Sequence, residues 1–189
     1  MIVLSDNTAT NMLVTRLGTV RIDARLTNYG LKETKIFRPT FRDGKPDIFP
    51  ELEKEFGLGM ATPREMGKLM ALIAGGRAVS ADASAAMLAT LRRQQDRTMI
   101  PRLLPEGVQV GNKTGNDSEK TADGNGRRGA IRADAAVVNA NDLTYVVAIF
   151  TRRGGDTRGG PDNGGVLTGA KISRAVFDHF STSAARKDD

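Results

Sequence analysis

The chain has 189 residues, 28 basic and 22 acidic, giving a net charge of +6, with 39% apolar residues, one histidine and neither cysteine nor tryptophan. This balance belongs to a globular protein, and the length suits a single domain with its own core. A disulfide scaffold and any cysteine-based nucleophile or metal site are excluded. A Ser-His-Asp triad would have to draw on His179 alone, in a terminal amphipathic segment where a structural role is expected. No uninterrupted apolar stretch of about 18 residues predicts a membrane span. The start, Met1 to Asn7, lacks the basic and long apolar parts of a signal peptide. Arginine pairs at 92–93, 127–128 and 152–153 raise the question of nucleic acid. With only 5% aromatics and no RNA-binding or zinc-finger motif, a solvated basic surface is the better reading. Association with nucleic acid is the weakest alternative function, and no nucleic-acid partner is expected.

Residues 8–29 carry Met12, Leu13, Leu17, Val20, Ile22 and Leu26 at helical spacing, with Gly18 dividing two helices and Asn7-Thr8 as capping types. Residues 35–60, rich in Pro and Gly, predict a long irregular loop of the kind that is often functional. Thr62-Pro63-Arg64-Glu65 is a helix start, followed by the stripe Met66, Leu69, Met70, Ile73 and a stop at Gly75-Gly76. A further helix is predicted from Ser80, with Met87, Leu88 and Leu91 on its buried side, then a short helical connection over 97–104. The period then changes to strands at 108–113, 131–138 and 144–151, with Asn139-Ala140-Asn141-Asp142 as a hairpin turn. Residues 116–129 and 153–165 read as loops, 166–180 as a final helix and 181–189 as a polar tail. Helices followed by consecutive strands predict an α+β fold, a helical lobe packed beside an antiparallel sheet, forming a single domain over 1–180.

Two tripeptides carry chemistry: Ser5-Asp6-Asn7 at a helix start and Lys113-Thr114-Gly115 on a strand. Alone, the first is an ordinary capping cluster and the second a strand end. Together, in this order, they are a known signature of serine β-lactamases and penicillin-binding proteins. Ser-Asp-Asn-Thr-Ala-Thr-Asn at 5–11, Thr62-Pro63-Arg64-Glu65-Met66, Leu91-Arg92-Arg93-Gln94-Gln95 and Ile100-Pro101 extend the likeness over nearly the whole chain. The sequence thus resembles the class A-like serine β-lactamase family, within the penicillin-recognising serine hydrolases.

The resemblance implies catalytic roles for Ser5, as a proton relay to the leaving nitrogen, and Lys113, as a positive charge beside it. It implies substrate binding by Asn7, through the substrate's side-chain amide, and by Thr114, through its carboxylate. Gly115 would let the strand backbone approach the substrate, and Arg132 is a weaker second carboxylate contact, with plain ion pairing as its rival role. No metal or organic cofactor is implied, since hydroxyl, ammonium and amide groups suffice. The expected small-molecule partner is a β-lactam or a peptidoglycan-like peptide, and family members work in the periplasm or are secreted.

The sequence departs from the family in two places. No serine has a lysine three positions later, and only four residues precede Ser5. The expectation is therefore an N-terminally truncated member, without the Ser-x-x-Lys helix, the leading helices and the first two strands, and inactive on its own. The missing first strand would leave the strand at 144–151 as an exposed edge open to self-association. Secondly, setting Phe49-Pro50-Glu51-Leu52-Glu53 against the family's Glu-Pro-Glu-Leu-Asn places Phe49 where the deacylating Glu stands. A D-alanyl-peptidase-like or penicillin-binding activity, or a non-catalytic relative, is the alternative function.

Overall fold

The computed structural model describes residues 1–40, 46–140 and 143–185. The helical segment comes first, as α1 (Asn7–Leu17) and α2 (Thr19–Asn28). Asp6 caps α1 by accepting from the Ala9 backbone N–H, and Gly18 separates the helices at φ +80°, where an L side chain would be strained. Of the apolar positions at helical spacing, Leu13 and Leu17 are exposed, and Ile22 and Leu26 are half-buried. Val14 and Thr19 are the buried residues of these two helices, whereas Met12 is 70% and Val20 64% exposed.

The predicted loop over 35–60 contains β1 (Lys35–Ile36), α3 (Pro50–Phe56) and β2 (Gly59–Met60). These are too short to leave a period in the sequence. They are fixed by contacts distant in the chain: β1 pairs antiparallel with β2, Phe37 N–H donates to Leu58 O, and Phe37 is wholly buried. Residues 41–45 of that segment lie outside the described residues.

Helices α4 (Pro63–Ala74) and α5 (Ala81–Arg92) start where the capping pattern predicts. Thr62 and Ser80 each accept a backbone N–H three residues on, and Pro63 occupies the first turn. On α5 Leu91 is buried and Leu88 packs beside it, but Met87 is partly exposed. The connection over 97–104 is a series of turns, not a helix; Asp96 accepts the Thr98 N–H and hydroxyl, which closes the chain into a turn before a helix can begin.

Three long strands follow: β3 (Gln109–Ser118), β4 (Ala130–Ala140) and β5 (Leu143–Gly154), in the order β3-β4-β5 and antiparallel throughout. Each overruns its predicted bounds into segments read as loop, because Asn116 to Ser118 pair with Arg132 to Ala130 and extend the hairpin. Of the predicted turn Asn139-Ala140-Asn141-Asp142, the first two residues belong to β4 and the last two lie outside the described residues. Among the described residues no strand pairs with the outer side of β5. Finally α6 (Gly164–Ala185) covers the predicted terminal helix and continues into the segment read as a polar tail.

The sheet is the middle layer of three. On one face Ala136, Val138, Tyr145 and Ile149 pack with Met99, Ile100 and Val166 beneath α6. On the other, Ala135 and Val137 meet Met70, Ile73 and Leu91 of α4 and α5. Strand β4 is central and apolar on both faces, as a strand covered on both sides must be. Ile100 has no exposed surface. Ile100→Ala should therefore cost about 3 kcal/mol of stability, from lost transfer energy and the cavity left behind, and urea unfolding measures it.

Candidate active site

The segment before α1 is pinned to the body of the fold by the Gln94-Gln95 pair. Gln94 Nε2 donates to Ile2 O at 2.6 Å, and Gln95 N–H donates to Val3 O at 3.1 Å. Ser5 then turns at φ +54°, a left-handed conformation that few non-glycine residues adopt. Its hydroxyl meets a residue 108 positions away: Lys113 Nζ donates to Ser5 Oγ at 2.7 Å. The same ammonium donates to Thr114 O at 2.6 Å.

Behind β3 lies a polar cluster. Thr114 Oγ1 donates to Asp96 Oδ2 at 2.9 Å. Asn112, with no exposed surface, donates from Nδ2 to Asp96 O and to both Asp134 oxygens. Asp134, also with no exposed surface, accepts the Ile100 N–H at 3.0 Å. Burial lowers the Lys113 pKa, against the pull of Asp134 and Asp96. Burial opposes ionisation of Asp96 too, but hydrogen bonds from Thr98 and Thr114 and the Lys113 charge hold its carboxyl below the usual range. For Asp134 burial wins, pushing its pKa from 3.8 to about 6.

The Asp134 shift makes stability depend on pH. The folded chain binds a proton at Asp134 that the unfolded chain has released, so its contribution is full below about pH 4 and is lost as pH rises through about 6. Asp134→Asn keeps an acceptor for Ile100 and cannot ionise. Its stability relative to the parent should therefore rise between pH 4 and 6.5 by roughly 2 kcal/mol, at about 1.4 kcal/mol per pKa unit. Denaturant titrations at each pH test this.

The other sequence-derived residues stand as follows. Asn7 is the exposed first residue of α1. Gly115 is exposed, and a Cβ there would meet only Ala133 Cβ at 3.8 Å, so the fold itself does not demand glycine. Arg132 is buried and donates to the backbone carbonyls of Asp117, Ile131 and Arg158. It lines a cavity of about 260 Å³ together with Asp96, Thr98 and Asn116. Phe49 caps α3 in the left-handed region, with Lys35 Nζ 4.4 Å from its ring centroid. Glu53 is held by Arg38 at 3.0 Å and Glu51 by Lys54 at 2.8 Å. Sequence reasoning missed Asp96, Asn112 and Asp134. The signal for Asp134 was present, as a lone carboxylate inside the apolar run from Ala133 to Val138.

The sequence pattern of the beta-lactamase enzyme family matches residues 1–180. Among solved structures, PBP-A is similar at 27% identity and TM-score 0.72, over 96% of this chain and 59% of that one. A mutant of PBP-A in an acyl-enzyme complex with penicillin G is similar at 26% identity and TM-score 0.73, over 96% and 59%. A beta-lactamase from Sphaerobacter thermophilus is similar at 27% identity and TM-score 0.70, over 94% and 59%. The chain thus spans about 59% of the length of these relatives. No curated protein matches it. Among the described residues no helix is long and apolar enough to cross a membrane.

Proposed function

Since this chain belongs to the beta-lactamase enzyme family, we propose that the Ser5–Lys113 pair belongs to a serine hydrolase site that recognises a β-lactam and opens its ring through an acyl-enzyme. The observation that carries this reading is the 2.7 Å contact between Lys113 Nζ and Ser5 Oγ. A relay must accept a proton from one group while donating to another, and a hydroxyl hydrogen-bonded to an ammonium is set up for that exchange. Lys113 also supplies the charge that draws the substrate carboxylate. Thr114 bonds that carboxylate by turning its hydroxyl proton from Asp96 to the ligand, and Arg132 adds positive potential from the neighbouring cavity. Asn7 binds the substrate's amide side chain. The attacking serine and its lysine base lie outside this set of residues.

Binding separates from chemistry in a direct test. Ligand-observed NMR should detect penicillin G on the chain, and Lys113→Ala should weaken it about tenfold or more, as expected for losing a charge-assisted contact. Equal binding by the parent and Lys113→Ala would remove Lys113 from the site.

A second reading, a penicillin-binding or D-alanyl-peptidase-like activity with a peptidoglycan-like peptide as substrate, draws on Phe49. An aromatic ring cannot activate water, and Glu53 nearby is engaged by Arg38, so an acyl-enzyme formed here would persist. In keeping with the family's usual sites of action, we infer that the whole protein works in the periplasm or outside the cell.

A further inference from the structure

The arginine pairs 127–128 and 152–153 serve no part of the proposed hydrolase site, yet all four line one cavity of about 380 Å³ between the β3–β4 hairpin and the end of β5. Measured along β3, this cavity begins about 20 Å beyond Lys113, at roughly 3.3 Å per residue. We propose that it is a binding site for a compact polyanion, a molecule carrying two or more phosphate or carboxylate groups.

The backbone is bent to bring these charges together. Ala130 pairs with Gly154 and Arg132 with Thr151, so two steps on β4 face three on β5, a β-bulge at Arg152-Arg153. In a regular strand consecutive side chains point to opposite faces, and a bulge re-aims one of them. Here it lets both Arg152 and Arg153 face the same cavity. Arg153 adopts φ +56° to do so, where a glycine would be unstrained. Just before the facing strand a Cβ at Gly129 would lie 2.6 Å from Arg153 Cα, so only glycine lets the two backbones close on each other there.

The charges are not cancelled from within. Two acids share the lining, Glu119 and Asp123. Glu119 is taken by Arg152 Nε at 2.9 Å. Asp123 Oδ1 faces its own loop, accepting the Asn125 N–H at 2.8 Å and the Arg127 N–H at 2.9 Å. Among the described residues, Arg128 and Arg153 make no side-chain hydrogen bond or ion pair. Two planar guanidinium forks with free donors, in a cavity with a net excess of two positive charges, match oxyanions in bidentate geometry.

The test is calorimetric titration of the full chain with inorganic pyrophosphate at fixed ionic strength, with citrate as a second probe and chloride as reference. One saturable pyrophosphate or citrate per chain is expected. Tighter citrate assigns the ligand to carboxylates and tighter pyrophosphate to phosphates, and either supports the site. Arg128→Gln, on the exposed hairpin, should weaken binding roughly tenfold with an unchanged melting temperature. Arg153→Gly should weaken it similarly while raising the melting temperature by about 2–4 °C, through relief of the left-handed residue. These opposite movements separate a binding role from a role in folding. Binding no stronger than that of chloride, or wild-type affinity in both variants, overturns the proposal.

Discussion

Incubated with penicillin G, the 189-residue chain should gain no covalent mass, and it should hydrolyse a chromogenic cephalosporin no faster than buffer. Acylation requires a serine activated by a neighbouring base. None of the serines in this sequence has a lysine three residues on. Ser5 accepts a hydrogen bond from the Lys113 ammonium, an arrangement that holds a proton at the serine rather than removing one. Losing the attacking group from such a site costs on the order of 10⁶ in turnover, and orientation and electrostatics recover only a small residual rate. A version joined to a segment carrying Ser-x-x-Lys should acylate and then deacylate slowly, because the family resemblance sets Phe49 where the deacylating Glu is expected. Intact-mass spectrometry reads both outcomes. An adduct on the 189-residue chain, mapped to Ser5, would show that burial lowers the Lys113 pKa far enough for Ser5 and Lys113 to act as nucleophile and base.

Both halves of this site were legible in sequence because each sits in a locally determined element. Asp6 caps α1, and Lys113 lies within β3, the strand that the alternation at Val108 and Val110 predicts. The contact between them follows from the family resemblance alone, since no local rule links residues 108 positions apart. What stayed hidden depends on partners distant in sequence. Glu65 reads as a helix-start acid, yet it accepts the Thr34 hydroxyl at 2.6 Å and the Glu33 N–H at 3.0 Å, tying the residues just before β1 to α4. Asp96 reads as a polar residue after a helix, and only the fold brings Thr114 to it at 2.9 Å. On α1 and α2 the periodicity located both helices without showing what covers their apolar face.

That uncovered face should make the 189-residue chain self-associate. Leu4, Met12 and Val20 are 66%, 70% and 64% exposed, and Leu13 and Leu17 on α1 are exposed beside them. Ile172 and Phe180 add apolar surface on α6. Scattered single residues of this kind are ordinary, but several on one helix pair raise the apolar exposure that favours association. Among the described residues no strand pairs with the outer side of β5, from Thr144 to Thr151, which makes it a second adhesive edge. Sedimentation velocity should show the mean size of the 20.3 kDa chain rising with concentration. Met12→Glu with Val20→Glu should shift the distribution toward monomer while changing stability by no more than about 0.5 kcal/mol per site, the usual range for exposed positions. If association persists in that double variant and is abolished by a proline in the outer edge of β5, the strand rather than the helices is the contact. A parent chain that stays monomeric across the concentration range and melts in one cooperative transition would refute both routes.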